Sequence, residues 1–266
     1  MKDFRLANKI VWTLVKNNVQ YPARLILDIT GIIARCGVLL LLYKYVFDLN
    51  AGTIKSTTFD VVAWSMFLYF VLSTLRLRDL AKIISRDIQS GSIEMLFNKP
   101  ISYLTYRFCW QIGAGLFSFL VIMPIGVLIM AACLGVPATM TSWFFLLTLL
   151  IALLGCVVLT LIIYAILGMA SFWIIDAAPV LWIVDKFVMV LGGSYLPVAF
   201  FPKAMYNLAR WSPFGGAQIL SQMPYTTWRT DAWMLLTIQY SWILILGAVL
   251  IVMFKNARKK LSVNGG

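Results

Sequence analysis

Along its 266 residues this chain repeatedly runs apolar for about 20 residues, the length at which a helix crosses the hydrocarbon of a bilayer. Six such stretches are expected as spans: 24–47, 59–77, 104–134 (with Pro124 inside it), 143–168, 180–198 and 232–254. The runs are continuous rather than alternating, so each reads as a helix and not as a barrel strand. The expected class is therefore an all-α polytopic membrane protein, parsed as a single domain over 1–266. Composition agrees: 62% of residues are hydrophobic and only 12% are charged, more oil than a soluble core of this size needs.

The formal net charge of +12 first suggests nucleic acid, but no basic recognition helix or RNA-binding motif accompanies it. A sided distribution explains it better. Lys2, Arg5, Lys9, Lys16 and Arg24 precede the first span. Arg76, Arg78, Lys82, Arg86, Lys99 and Arg107 fall between the second and third, and Lys255, Arg258, Lys259 and Lys260 follow the last. Those fifteen cations face five on the other side: Lys44, Lys55, Lys203, Arg210 and Arg229. Positive-inside bias then puts both termini in the cytoplasm. No cleavable signal peptide is expected.

Soluble-enzyme chemistry finds no foothold. Histidine is absent, which removes the commonest general base and metal ligand. Cys36, Cys109, Cys133 and Cys156 all lie in apolar runs and read as small hydrophobes rather than as metal ligands or disulfides. No phosphate-binding glycine loop and no nucleophile–base cluster occurs, so no catalytic or metal-ligating residues are assigned. Asp28 and Arg35, seven apart in the first span, share a helical face. They read either as a polar pair in a pathway or gate, or as a pair that fixes helix packing.

Three segments interrupt the oily pattern. Residues 1–22 carry an amphipathic repeat, with Leu6, Ile10 and Leu14 on one stripe and Ala7, Val11 and Val15 beside it, expected as an interfacial helix on membrane lipid; the alternative is a disordered basic tail. At 83–100, "IISRDIQSGSIEMLFNKP", the second span is expected to run on as helix into the cytoplasm and break at Gly91. A two-turn helix follows, with Glu94 in its first turn, Ile93, Leu96 and Phe97 as its apolar face, and Pro100 as its stop. So short a helix is not stable alone and needs something to pack on, either the membrane surface or a partner. At 191–216, three prolines and four glycines break an apolar stretch. The expectation is a re-entrant hairpin on the outer side; the alternative is an exterior loop with an interfacial helix at 203–211.

The second and third segments carry a family resemblance. "DIQSGSIEMLFNKPIS" at 87–102 is similar to the pattern D-I-x-S-G-x-I/L-E/D-x-L-L-x-x-P-I/V-S of permease subunits of bacterial ABC-2-type exporters, with Phe97 where Leu is usual. "GGSYLPVAFFPKAMYNLARWSPF" at 192–214 resembles the family's outer hairpin, with Gly193, Pro197, Pro202, Pro213 and Phe214 in step; Phe201 and Trp211 belong to the same segment. The order of parts agrees over essentially the whole chain. The resemblance implies an N-terminal elbow helix and a coupling helix seated in a separate ATPase subunit, which itself binds ATP and Mg. It implies contacts from Arg86, Asp87, Gly91, Ile93, Glu94, Leu96, Phe97, Lys99 and Pro100 at that seat. It also implies an outer gate at the hairpin, a second permease subunit of identical or related sequence, and a location in the bacterial plasma membrane. The cargo would be hydrophobic or amphiphilic: a drug, lipid, peptide or glycan. Nucleic acid is not an expected partner. The competing readings are an ion-coupled secondary carrier and a non-transporting scaffold.

Overall fold

The computed structural model describes residues 2–20, 23–50, 52–54, 57–97, 100–174 and 176–264. Its helices, in chain order, are α1 (Lys2–Gln20), α2 (Ala23–Leu49), α3 (Phe59–Ser73), α4 (Asp79–Gln89), α5 (Ile93–Phe97) and α6 (Tyr103–Leu134). They continue with α7 (Trp143–Met169), α8 (Ala178–Leu191), α9 (Lys203–Trp211), α10 (Pro213–Gly216) and α11 (Trp228–Asn264). Among the described residues the sole strand pairing is a two-residue antiparallel ladder, Thr53–Ile54 against Thr57–Thr58. The fold is therefore nearly all-α, as expected.

Among the described residues four helices are long and apolar enough to cross a membrane: α2, α6, α7 and α11. The expected second and fifth spans come out shorter. α3 has 15 residues and α8 has 14, and at 1.5 Å per residue each measures about 22 Å, under the roughly 30 Å of a hydrocarbon core. Nor does the second span run on continuously into 83–100. It stops at Ser73, the chain turns through Thr74–Arg78, and a separate helix restarts at Asp79. The cause is local. Arg76 adopts φ 51, the left-handed conformation, which no helix interior accommodates.

α3 is apolar all round and buried from Val62 through Leu72, the pattern of a helix enclosed by others. Glycines let backbones meet where they pack. A Cβ on Gly115 of α6 would stand 2.5 Å from Leu75, and one on Gly168 of α7 would stand 2.7 Å from Ile84 of α4. α11 lies along α7, and the Nε2 of its buried Gln239 donates to the Ala152 carbonyl of α7 at 3.4 Å and to the Gly216 carbonyl of α10 at 2.9 Å. α1 packs along α6 with Val15 buried, while Asn18 donates to the carbonyl of Ala114 at 3.1 Å. Cys36 and Cys156 are buried, Cys109 is half-buried and Cys133 is exposed; all four are free thiols.

The ends of the bundle can be told apart by contact. Tyr103 at the start of α6 stacks on Phe254 near the end of α11, with ring centroids 6.5 Å apart. The junction that follows α5 therefore shares one end with the C-terminal helix. At the other end the Tyr43 hydroxyl donates to the Tyr195 carbonyl at 2.6 Å, Phe47 meets Phe200, and the Trp64 indole donates to the carbonyl of Gly135.

Candidate functional site

Three of the regions singled out by the sequence are built as distinct sites. The first is the α4–α5–α6 junction. α4 buries Leu80, Ala81, Ile84 and Asp87, one stripe at helical spacing, against α7 and α6. Gly91 adopts φ 70 and turns the chain after α4; the side that a Cβ would occupy is open space. Ser90 and Ser92 hydroxyls stand 2.9 Å apart in that turn, and the Glu94 amide donates to the Gly91 carbonyl.

Beneath the turn lies an ion pair. Arg107 of α6 grips Asp87 with two bonds, Nε to Oδ2 at 2.7 Å and Nη2 to Oδ1 at 2.6 Å. The Tyr103 hydroxyl donates to the same carboxylate at 2.7 Å, and the guanidinium lies over the Tyr106 ring, 5.3 Å from its centroid. Forked arginine–carboxylate pairs of this kind fix orientation as well as attraction. They tie the end of α4 to the start of α6.

This geometry redistributes the expected coupling residues. Asp87, expected among the ATPase contacts, is 7% exposed and bonded within its own chain. Ile93, expected on the docking face, is 1% exposed and joins the main core, and Leu96 packs partly against that core. The physical reason is that so short a helix, five residues rather than the two turns expected, needs a floor, and its own bundle supplies it. Arg86, Glu94 and Pro100 are exposed. Lys99 and the Phe97 side chain lie outside the described residues. Met95, which the sequence reading passed over, stands 73% exposed. Its position two residues beyond buried Ile93, on the opposite side of a helical turn, was the available signal.

The second site is the break between α3 and α4. Asp28 does not pair with Arg35. It accepts from the Arg76 guanidinium and from the Ser118 hydroxyl at 2.8 Å, while Arg35 Nε turns back to the Gly31 carbonyl at 3.0 Å. Reach explains the correction: Arg35 lies two turns along α2, whereas the left-handed turn delivers Arg76 beside Asp28. Gln111 donates to the Arg76 carbonyl at 2.8 Å and secures the turn. A polar cavity of about 200 Å³ opens here, lined by Asp28, Arg35, Ser73, Arg76, Arg78 and Asp79 among others. It shares Arg35, Ser73 and Arg78 with a mostly apolar groove of about 400 Å³ between α2, α3 and the end of α8. Asp185 accepts from the Tyr164 hydroxyl at 2.8 Å and lies 3.7 Å from Arg78.

The third site is the segment 191–216. α8 ends in a left-handed Gly193 (φ 80), and the Ser194 amide returns to the Met189 carbonyl at 3.1 Å, a helix stop that glycine favours. Phe201 is buried with Leu191, Val198 and Ala209, Pro197 is buried, and Pro202 starts α9. Pro213 opens α10, where Ser212 caps by accepting from the Gly215 amide, and Phe214 stacks on Phe187 at 5.7 Å. Trp211 is 59% exposed, and its carbonyl accepts from the Trp242 indole. An amphipathic helix at 203–211, expected only under the loop alternative, is thus present as α9. Nearby, burial pushes the Tyr225 phenol up to about 12, so it stays neutral.

Among the described residues no group of acidic, cysteine or histidine side chains could hold a metal ion. A family model described as ABC-2 family transporter protein matches residues 33–265, a range that takes in the first and third sites whole and the second but for its α2 residues before 33, Asp28 among them. No curated protein matches the chain.

Proposed function

The chain belongs to the ABC-2 family of transporter proteins, a multi-pass membrane permease, and we propose that it is the pathway-forming subunit of an ATP-driven exporter, coupled to a separate ATPase through the α4–α5 turn. The observation that carries this reading is the Asp87–Arg107–Tyr103 clamp. A docking helix transmits motion only if it is rigidly joined to the spans behind it. Here two charge-assisted bonds and a tyrosine hydroxyl join the end of α4 to α6, the helices on either side of α5.

On this reading Met95, Glu94 and Arg86 meet the ATPase, which binds ATP and Mg, and Ile93 holds the helix down from within. α1 is the elbow helix on the inner leaflet. Six crossings follow if α3–α4 and α8 with its hairpin each complete an interrupted span. A second permease subunit, identical or related, completes the pathway, and the 191–216 segment closes its outer end. Both termini, the α5 turn and the clamp face the cytoplasm of a bacterial plasma membrane, as the lysine and arginine distribution favours.

The test is co-expression with the cognate ATPase. Met95→Asp and Glu94→Lys should lower ATPase co-purification and transport several-fold while the protein still inserts in the membrane. Full transport by both variants overturns the coupling assignment.

A further inference from the structure

Arg35 is an ionisable group inside α2, well along a helix long enough to span. A charge at such a position is costly and ordinarily has a stated partner. Arg76 has one, since Asp28 takes it. Arg35 has none of that kind: among the described residues no carboxylate lies within ion-pair distance of it, and its Nε bonds only to a carbonyl of its own helix. Arg78 is nearly half exposed and meets Asp185 loosely at 3.7 Å. Both arginines line the polar cavity of about 200 Å³. Two carboxylates line it as well, but Asp28 is consumed by Arg76 and Ser118, and Asp79 sits in the first turn of α4, where the helix dipole favours it.

The backbone adds a second observation. The break that forms this cavity holds a non-glycine residue, Arg76, in the left-handed region. Such strain persists where surrounding contacts enforce it, and it concentrates at ligand clamps. Interrupted helices at membrane depth are tolerated where they line a cavity. A third observation is continuity. The same Arg35, Ser73 and Arg78 form one end of the groove that runs between α2, α3 and α8, whose remaining walls are mainly apolar: Val38, Leu39, Tyr69, Phe70 and Met189.

We propose that this groove binds an anionic amphiphile, with a phosphate-type head on the Arg35 and Arg78 guanidiniums and its apolar tail along Val38, Leu39, Phe70 and Met189. Arginine suits such a head because its fork presents paired donors to phosphate oxygens. The apolar wall suits a tail that a free anion would not have. The inference rests on the reading of the chain as a permease and gives its cargo a chemical class.

The experiment uses the full chain in detergent, without ATP or a partner subunit. Binding of dioctanoyl phosphatidate is compared with that of dioctanoylglycerol, dioctanoyl phosphatidylcholine and inorganic phosphate. Saturable binding of phosphatidate is expected, with the uncharged and zwitterionic lipids at least about tenfold weaker. Arg35→Gln and Arg78→Gln should each weaken phosphatidate about tenfold at unchanged thermal stability. Equal binding of all three lipids, or variants that bind as the parent does, overturns the head-group assignment. Inorganic phosphate that competes as well as phosphatidate overturns the amphiphile. Should the variants fail to fold, the lipid series on the parent chain decides alone. A chain that binds phosphatidate yet never engages an ATPase would sink the coupling reading and leave this one standing.

Discussion

Asp87 shows how far a single residue can be read. Its place in the "DIQSGS" motif is visible in the sequence, but its partners are not. Tyr103 and Arg107 follow it by 16 and 20 residues, and the turn through Gly91 folds them back onto its carboxylate. With both side chains about nine-tenths buried, removing one partner strands the other's charge. Asp87→Ala should therefore destabilise the protein by about 3–5 kcal/mol, and a combined Asp87→Ala, Arg107→Met change by less than Asp87→Ala alone. Denaturation in detergent, read on all variants of the cycle, checks this; a double variant less stable than Asp87→Ala refutes it. Asp28 teaches the same lesson. The spacing of seven suggested Arg35 as its partner, because helical periodicity sees only neighbours on one helix. Arg76 reaches it across 48 residues of chain.

At the scale of elements, hydrophobic runs located α2, α3, α6, α7, α8 and α11, and their failures have two causes. A run reports how long the chain stays apolar, not whether its backbone stays helical. The 59–77 run contains the break before α4, and the 180–198 run contains the stop at Gly192–Gly193. Closeness of packing decides the rest. Gly115→Leu would drive a side chain into the Leu75 backbone, which a Cβ alone already meets at 2.5 Å. It should abolish a monodisperse peak on size exclusion, whereas Gly37→Leu, with no neighbour within 4 Å of its Cβ, should not. The turn before α5 is a milder case. Gly91→Ala places a side chain at φ 70 in open space, so it should cost only about 1–2 kcal/mol. Re-aiming of α5 would show as ATPase stimulation falling further than the melting temperature explains.

For the whole molecule, the testable claim is sidedness. Met95 and Phe254 mark one end of the bundle, and Trp143, Tyr195 and the start of α11 mark the other. In a background with the four cysteines replaced, Met95→Cys should react with an impermeant maleimide only from the cytoplasmic face, and Trp143→Cys, at a site 83% exposed, only from the outside. Reaction of both from one face breaks the orientation. By itself the sequence determined the membrane class, the location of the main helices, the lack of a phosphate-binding loop and the three segments that interrupt the apolar runs. Each follows from hydrophobicity, charge or backbone propensity counted along the chain. Only the tertiary structure decided that Ile93 faces inward and Met95 outward, that Asp28 belongs to Arg76, and that Arg35 and Arg78 meet in one groove. Short-period spacing puts Ile93 and Met95 on opposite sides of a helix but cannot say which side is covered, and it carries no information about Asp28, Arg76, Arg35 and Arg78, which are brought together from distant parts of the chain.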